Sequence, residues 1–210
     1  EVKVLQDKIF ESAQKTGTAY TDMANTTAKL GLLAGDAFKN NTELNKFSEL
    51  MAKSFKVSGA STQEQAAGMY QLTQAMASGR LQGDEFRSII ENAPMLAQAI
   101  SDYTGVGMDG LKEMSREGTI SAEIIKNALF LAGKDIEEKY AQMPKTFSSY
   151  FAEIKNTAFM EFSGIMQGIN NAINTDGFKK FVENVKLSIG NAAEWAILRF
   201  YEFKNTFSQL

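Results

Sequence analysis

Residues 95–118 read MLAQAISDYTGVGMDGLKEMSREG, with three glycines within six residues at the centre. Gly105, Gly107 and Gly110 stand at the spacing of a dinucleotide-binding fingerprint. In that motif the glycines turn the chain from a buried strand into a helix whose N-terminus receives a pyrophosphate. If they serve that turn the fold is α/β; if they join two helices it is all-α. The residues ahead of them, MLAQAISDY, form an amphipathic helical stretch with its own Asp102, and no strand-like run is within reach. Gly105 therefore reads as a helix terminator in the left-handed conformation, with Asp109 or a neighbour starting the next helix.

Working outward, the same texture extends over the chain. Val2, Leu5, Ile9 and Ala13 recur at helical spacing until Thr16-Gly17 breaks them. A second helix is expected from Tyr20 to Leu33, ending near Gly35. Leu44, Phe47, Leu50, Met51 and Phe55 form a third stripe, stopped at Ser58-Gly59. Ser61-Thr-Gln-Glu64 is a capping box, opening a helix through Met69, Leu72 and Met76 to Gly79. Phe86, Ile89 and Ile90 share one side of the next segment, and Pro94 disfavours α geometry at Ala93 and so marks a boundary or kink. Ser121 serves as N-cap to a helix carrying Ile124, Ile125, Ala128, Leu129 and Ala132. GDAF at 35–38 and GDEF at 83–86 echo each other, which points to a shared turn-plus-cap solution. No strand emerges, so the expected fold is all-α.

From Tyr140 the character changes, with 13 of the 22 aromatic residues in this last third, including Trp195. Pro144 suits a first helical turn. Phe147, Phe151, Ile154, Ala158, Phe162, Ile165, Ile169 and Ile173 then keep a spacing of three to four. After Thr175-Asp-Gly177 the pattern resumes with Phe178, Phe181, Val185, Ile189, Ala192, Trp195 and Leu198. The expected architecture is a multi-helix packed domain of short helices over residues 1–135, followed by two longer amphipathic helices, an α-hairpin, over 136–210. The boundary is placed at residues 136–144. Apolar faces left uncovered in the hairpin need another part of a parent chain, a second copy or a membrane surface. The missing initiator Met, and an end at FKNTFSQL without a helix stop, read as a segment of a longer protein.

Composition narrows the chemistry. A net charge of −3 over 210 residues leaves no basic footprint, so no direct sequence-specific nucleic acid binding is expected. There is no transmembrane-length apolar run, and charges interrupt any signal-peptide core at the N-terminus. With no Cys and no His, thiol nucleophiles, disulfides, imidazole bases and thiolate or imidazole metal sites are excluded. Ser12-Ala-Gln-Lys15 has a nucleophile–base spacing, but without companion motifs a solvated helix face is the plainer reading. Asp84-Glu85, Glu137-Glu138 and Glu113 with Glu117 are carboxylate pairs. Glycoside chemistry needs two carboxyls across a cleft, whereas Asp84-Glu85 sits at a helix start, where acids complement the macrodipole. The ten methionines fit core filling better than a promiscuous groove. No catalytic, cofactor-binding or metal-ligating residue is assigned, and no cofactor.

The stretch Ser78–Phe130 resembles the N-terminal module of tape measure proteins from long-tailed bacteriophages and prophages. The resemblance rests on order and spacing: Gly79 to Leu81, Asp84-Glu85, Pro94, Gly105-Val106, Leu111 to Met114, and Gly118-Thr-Ile120-Ser121. The helix over residues 61–77 fits as well, while the last third matches only in general character. Gly107 departs from the pattern where a polar helix cap is expected. The resemblance implies a virion structural protein that templates tail-tube polymerisation and sets tail length, without enzymatic activity. It implies the tail tube protein and tail assembly chaperones as partners, with other copies of itself and host membrane as further contacts. It places the chain in the tail lumen of the virion, and in the host bacterial cytoplasm during assembly. Because these helices are punctuated by Gly and Pro, a compact docking element is expected rather than a measuring rod. The alternatives are a membrane-active helical domain acting during genome ejection, resting on the aromatic third, and part of a cell-wall hydrolase.

Overall fold

The structure, a computed structural model, describes residues 2–169 and positions 180, 183, 184, 186–188, 190, 191 and 194. Among the described residues it is all-α, with ten α-helices and one short 3-10 turn. The backbone divides into two compact units, Glu1–Ala158 and Phe159–Leu210. The first holds α1 (Val2–Thr16), α2 (Tyr20–Leu33), α3 (Asn41–Val57), α4 (Thr62–Ser78), α5 (Gly83–Asn92), α6 (Pro94–Thr104), α7 (Met108–Glu117), α8 (Ala122–Leu131) and α9 (Gly133–Gln142). It also holds the start of α10 (Phe147–Ile169).

The centre of this unit is α3, which packs against α1, α2, α4, α6, α8 and α9. Its sequence explains that position: Leu44, Phe47, Leu50, Met51, Ala52 and Phe55 cover more than one face, and all are buried. A helix apolar over so wide an arc is stable only when it is surrounded. Phe47 stacks in tilted geometry on Phe38 at 5.2 Å and on Phe130 at 6.4 Å, within the range that favours aromatic pairs. Asn40 caps α3 by accepting from the Thr42 and Glu43 N–H groups.

Short helices need strong punctuation, and the chain supplies it. Both arms of the capping box form at Ser61 and Glu64, and α4 ends on Gly79 at φ 79°. Pro94 occupies the first turn of α6, and Ala93 sits outside helical geometry at φ −139°, ψ 56°, giving a break between α5 and α6. Ser121 accepts from the Ile124 N–H to open α8.

Three local expectations change. GDAF at 35–38 makes only the 3-10 turn, while GDEF at 83–86 opens α5 with Gly83 at φ 55°, so the echo is not one shared solution. Pro144 lies in the connection after α9; Thr146 caps α10 instead, accepting from the Ser149 N–H at 3.2 Å. Ser12 is buried rather than on a solvated face.

The contact division falls inside α10, downstream of the change in composition at 136–144. Ile136 on α9 is fully buried and Asn156 on α10 is 2% exposed, both within the first unit. In the second unit, residues 159–169 complete α10, and the described positions from 180 to 194 are helical and exposed. Ile173, the Thr175-Asp-Gly177 turn and most of the second hairpin helix, including Phe178, Phe181, Val185, Ile189, Ala192, Trp195 and Leu198, lie outside the described residues.

Candidate functional site

The glycine triplet makes a helix-to-helix corner. Gly105 ends α6 at φ 72°, its N–H donating to the Ser101 carbonyl. The Ser101 hydroxyl donates to the Val106 carbonyl and pins the corner from below. Gly107 is the N-cap of α7 and offers no side-chain cap. Asp109 in the first turn supplies the negative charge that suits a helix start, and pairs with Lys112 at 3.0 Å. A Cβ on Gly110 would lie 3.0 Å from Val106, so Gly110 serves the close approach of chain to chain. No strand precedes these residues, and a phosphate cradle of the dinucleotide type has no place here.

The other candidates are held apart. Ser12 is 2% exposed and donates to Glu49 Oε2 at 2.9 Å, while Lys15 faces out and pairs with Glu11 at 2.7 Å. Asp84 and Glu85 both lie in the first turn of α5. Glu113 pairs with Arg116 on the surface of α7. Glu138 faces solvent toward Lys134, whereas its neighbour Glu137 turns inward. Among the described residues no group of three or more acidic side chains is arranged to hold a metal ion.

Glu137 leads to the feature that sequence reasoning missed. Glu49 and Lys53, one turn apart on α3, are 6% and 4% exposed. Lys53 Nζ donates to Glu49 Oε1 at 2.7 Å and to Glu137 Oε2 at 2.6 Å, and lies 5.5 Å from the Tyr140 ring. Lys46 bridges the same two carboxylates from the rim, at 3.1 and 2.6 Å. Asn45 donates to the Ser12 hydroxyl at 2.9 Å. The network joins α1, α3 and α9. Burial pushes the Glu49 carboxyl up, but hydrogen bonds from Lys53 and Lys46 outweigh it and pull its pKa down to about 2. Burial and the same two lysines act on Glu137, whose pKa is also lowered. Burial raises the Tyr140 hydroxyl, helped by Glu153, Glu137 and Glu49. The signal available in the sequence was the i, i+4 spacing of Glu49 and Lys53 between the apolar residues Phe47, Leu50, Met51 and Phe55 of α3.

Along α10 the apolar stripe points outward. Phe147, Phe151 and Ile154 are 86%, 62% and 67% exposed. The residue that docks inward is Asn156, which accepts from the Tyr20 N–H at 2.7 Å and donates to the Thr18 carbonyl at 2.8 Å. No helix among the described residues is long and apolar enough to cross a membrane.

Two motifs of the 78–130 stretch, at residues 79–81 and 118–121, meet in space. Leu81 N–H donates to the Ile120 carbonyl at 2.8 Å, and Ala122 N–H to the Gly79 carbonyl at 2.9 Å. Arg80 and Ser121 thereby form a single antiparallel bridge, with Leu81 and Ile120 fully buried beneath it. Gly118, at φ 67°, lets the chain enter this clasp; a Cβ there would press on Gln82 and Arg80. The Gly79–Leu81 and Gly118–Ser121 motifs are thus two halves of one structural device. The sequence profile described as Tape measure protein matches residues 1–167. The chain belongs to the tape measure protein family. Comparisons with curated proteins and with solved structures return no match. Membership makes this module a structural component of a phage tail, working in contact with other tail components. The match takes in the whole first unit and runs into α10.

Proposed function

We propose that this module docks a tape measure protein onto the growing tail tube and its assembly chaperones. Through that docking the protein templates tube polymerisation and sets tail length, and it later takes part in DNA delivery. In this reading residues 1–135 form the helical tape-measure module, and residues 136–210 an aromatic-rich helical hairpin that shares in the docking. It works in the lumen of the virion tail, and before that in the cytoplasm of the host bacterium, with other copies of itself among its partners.

One observation carries the docking role: residues 2–158 are folded back on themselves instead of drawn out. As one continuous helix they would reach about 235 Å, at ~1.5 Å per residue. Here the longest helices that lie wholly inside the unit have 17 residues. A ruler that counts residues needs them extended, so a packed module fits nucleation and attachment better than measurement.

Tail length, read by electron microscopy after in-frame deletion of Pro144 to Asn174, tests this. The deletion removes the exposed aromatic side chains at the start of α10. Lost tails, with the remaining chain still helical by circular dichroism, are the expected result. Tails shortened by roughly 45 Å, at ~1.5 Å for each deleted residue, would make the segment a measuring rod and refute the docking role.

The outward row of Phe147, Tyr150, Phe151 and Ile154 also favours a second reading, contact of α10 with the host membrane surface during genome ejection. Co-sedimentation with liposomes at low salt decides it, and absence of binding removes it.

A further inference from the structure

The first unit carries a groove that the proposed function does not use. Between α4 and the start of α10 lie two clefts of about 530 and 200 Å³. Both are lined by Lys56, Thr62, Gln65 and Ser148, so they adjoin and form one trough. At the point where they join sits Lys56, near the end of α3. Its ammonium donates to the Gly17 carbonyl at 2.9 Å, a neutral partner, and among the described residues no carboxylate forms an ion pair with it. Lys53, its neighbour on α3, is by contrast held by two carboxylates.

The charges around the trough have one dominant sign. Lys145 lines the wider cleft and Lys155 the narrower, against one acid among the described lining residues, Asp22. Glu153 lies nearby but is engaged with Lys145 at 2.8 Å. Apolar surface alternates with the cations: Met143 and Pro144 wall the wider cleft, Met69 and Phe151 the narrower, and Phe151 is 62% exposed. A small anion would satisfy one lysine and leave the apolar walls in water. An extended segment bearing both acidic and apolar side chains would cover all of it.

We propose that the groove between α4 and α10 is a docking site for an acidic, amphipathic peptide segment of a partner protein. One of its carboxylates reaches Lys56, and its apolar side chains lie on Met143 and Phe151. Charge complementarity commits the site to this chemistry. A carboxylate at Lys56 supplies the counter-charge that the fold withholds, as a charge-assisted hydrogen bond at the half-buried floor. Burial, partly opposed by Glu153, presses the Lys56 pKa down to about 8, so an arriving carboxylate also restores its usual proton affinity. The inference stands on the groove itself and survives if the tail-assembly reading fails.

The test titrates the full chain, by calorimetry at low salt, with an acetylated and amidated octapeptide alternating Glu and Leu. A Gln-for-Glu version and inorganic phosphate serve as comparisons. The acidic peptide is expected to bind and the Gln peptide not, with affinity falling as salt rises. Lys56→Met should weaken binding about tenfold or more, the scale of a hydrogen bond to a charged group. Lys155→Met, on the exposed wall, should weaken it about twofold to fivefold, and Lys112→Met on α7 should leave it unchanged. Because Lys56→Met can disturb α3, the unaltered chain gives an independent reading: the Lys56 ammonium, followed by ¹⁵N NMR, should titrate at higher pH with peptide bound. Equal binding of the two peptides, or no movement of the Lys56 titration at saturation, overturns the proposal. Phosphate binding as tightly as the acidic peptide would make this a small-anion pocket and overturn it too.

Discussion

Replacing Glu49 by Gln removes one charge from the buried network while keeping its shape and its ability to accept from Ser12. Lys53, 4% exposed, then keeps a single carboxylate partner, Glu137 at 2.6 Å. Removing one member of a buried ion pair costs about 3–5 kcal/mol when the other is stranded. Here Glu137 still answers Lys53, so the lower end of that range applies. The titration of Glu49 gives a similar figure. A carboxyl lowered from 4.5 to about 2 is linked to about 3 kcal/mol of folding free energy. The sign follows from the depressed pKa. The contribution is complete above the unfolded-state value of 4.5 and is lost as pH falls from there toward 2. Urea unfolding followed by circular dichroism should show Glu49→Gln less stable by about 3 kcal/mol at pH 7, with the melting temperature lower by about 6–12 °C. By pH 3 the gap to the unaltered chain should have narrowed. A difference below about 0.5 kcal/mol at pH 7, the level of an ordinary surface substitution, would refute the reasoning. So would a gap that stays constant down to pH 3.

Gly68→Ala tests the closest packing of α4 on α3. An added Cβ would sit 2.1 Å from Phe55 Cε1 and 2.5 Å from Cζ, and Phe55 is fully buried. Overpacking of about 1–3 kcal/mol should exceed the ~1 kcal/mol that Ala gains over Gly in a helix; a melting temperature equal to or above that of the unaltered chain would contradict the contact. Asn156→Ala takes away the side chain that bonds the Tyr20 N–H and the Thr18 carbonyl, at a cost of about 1–3 kcal/mol. Hydrogen exchange at the Tyr20 amide should accelerate; unchanged exchange would show that α10 is not docked through Asn156.

Helix positions in this protein are written locally, which is why they were legible. The capping box at Ser61 and Glu64, the stop at Gly105 and the break before Pro94 each act through bonds within a few residues, and the structure has all three where the sequence put them. The buried stripe of α3 was equally visible, because an apolar arc that wide has to be enclosed. What Gly107 leaves out, a polar cap, was legible as well, and α7 starts without one.

The candidate sites were less legible because pairing across helices has no local signature. Ser12 looked like a surface residue; only the approach of α3 turns its hydroxyl into a donor to Glu49, 37 positions along the chain. Glu137 and Glu138 are adjacent in sequence, yet one enters the buried network and the other faces solvent, a choice made by the way α9 lies on α3. The start of α10 is the sharpest case. Periodicity picked out Phe147, Phe151 and Ile154 as an apolar face, but periodicity carries no information about which face a neighbour covers. Tertiary structure buried Asn156 instead, since the α1–α2 turn presents a backbone N–H and carbonyl that an amide satisfies and a phenyl ring cannot. That the chain is helical, and where its corners fall, follows from caps and glycines that act over one turn. Which charges are buried and which aromatic rings face water depends instead on what the packing brings alongside.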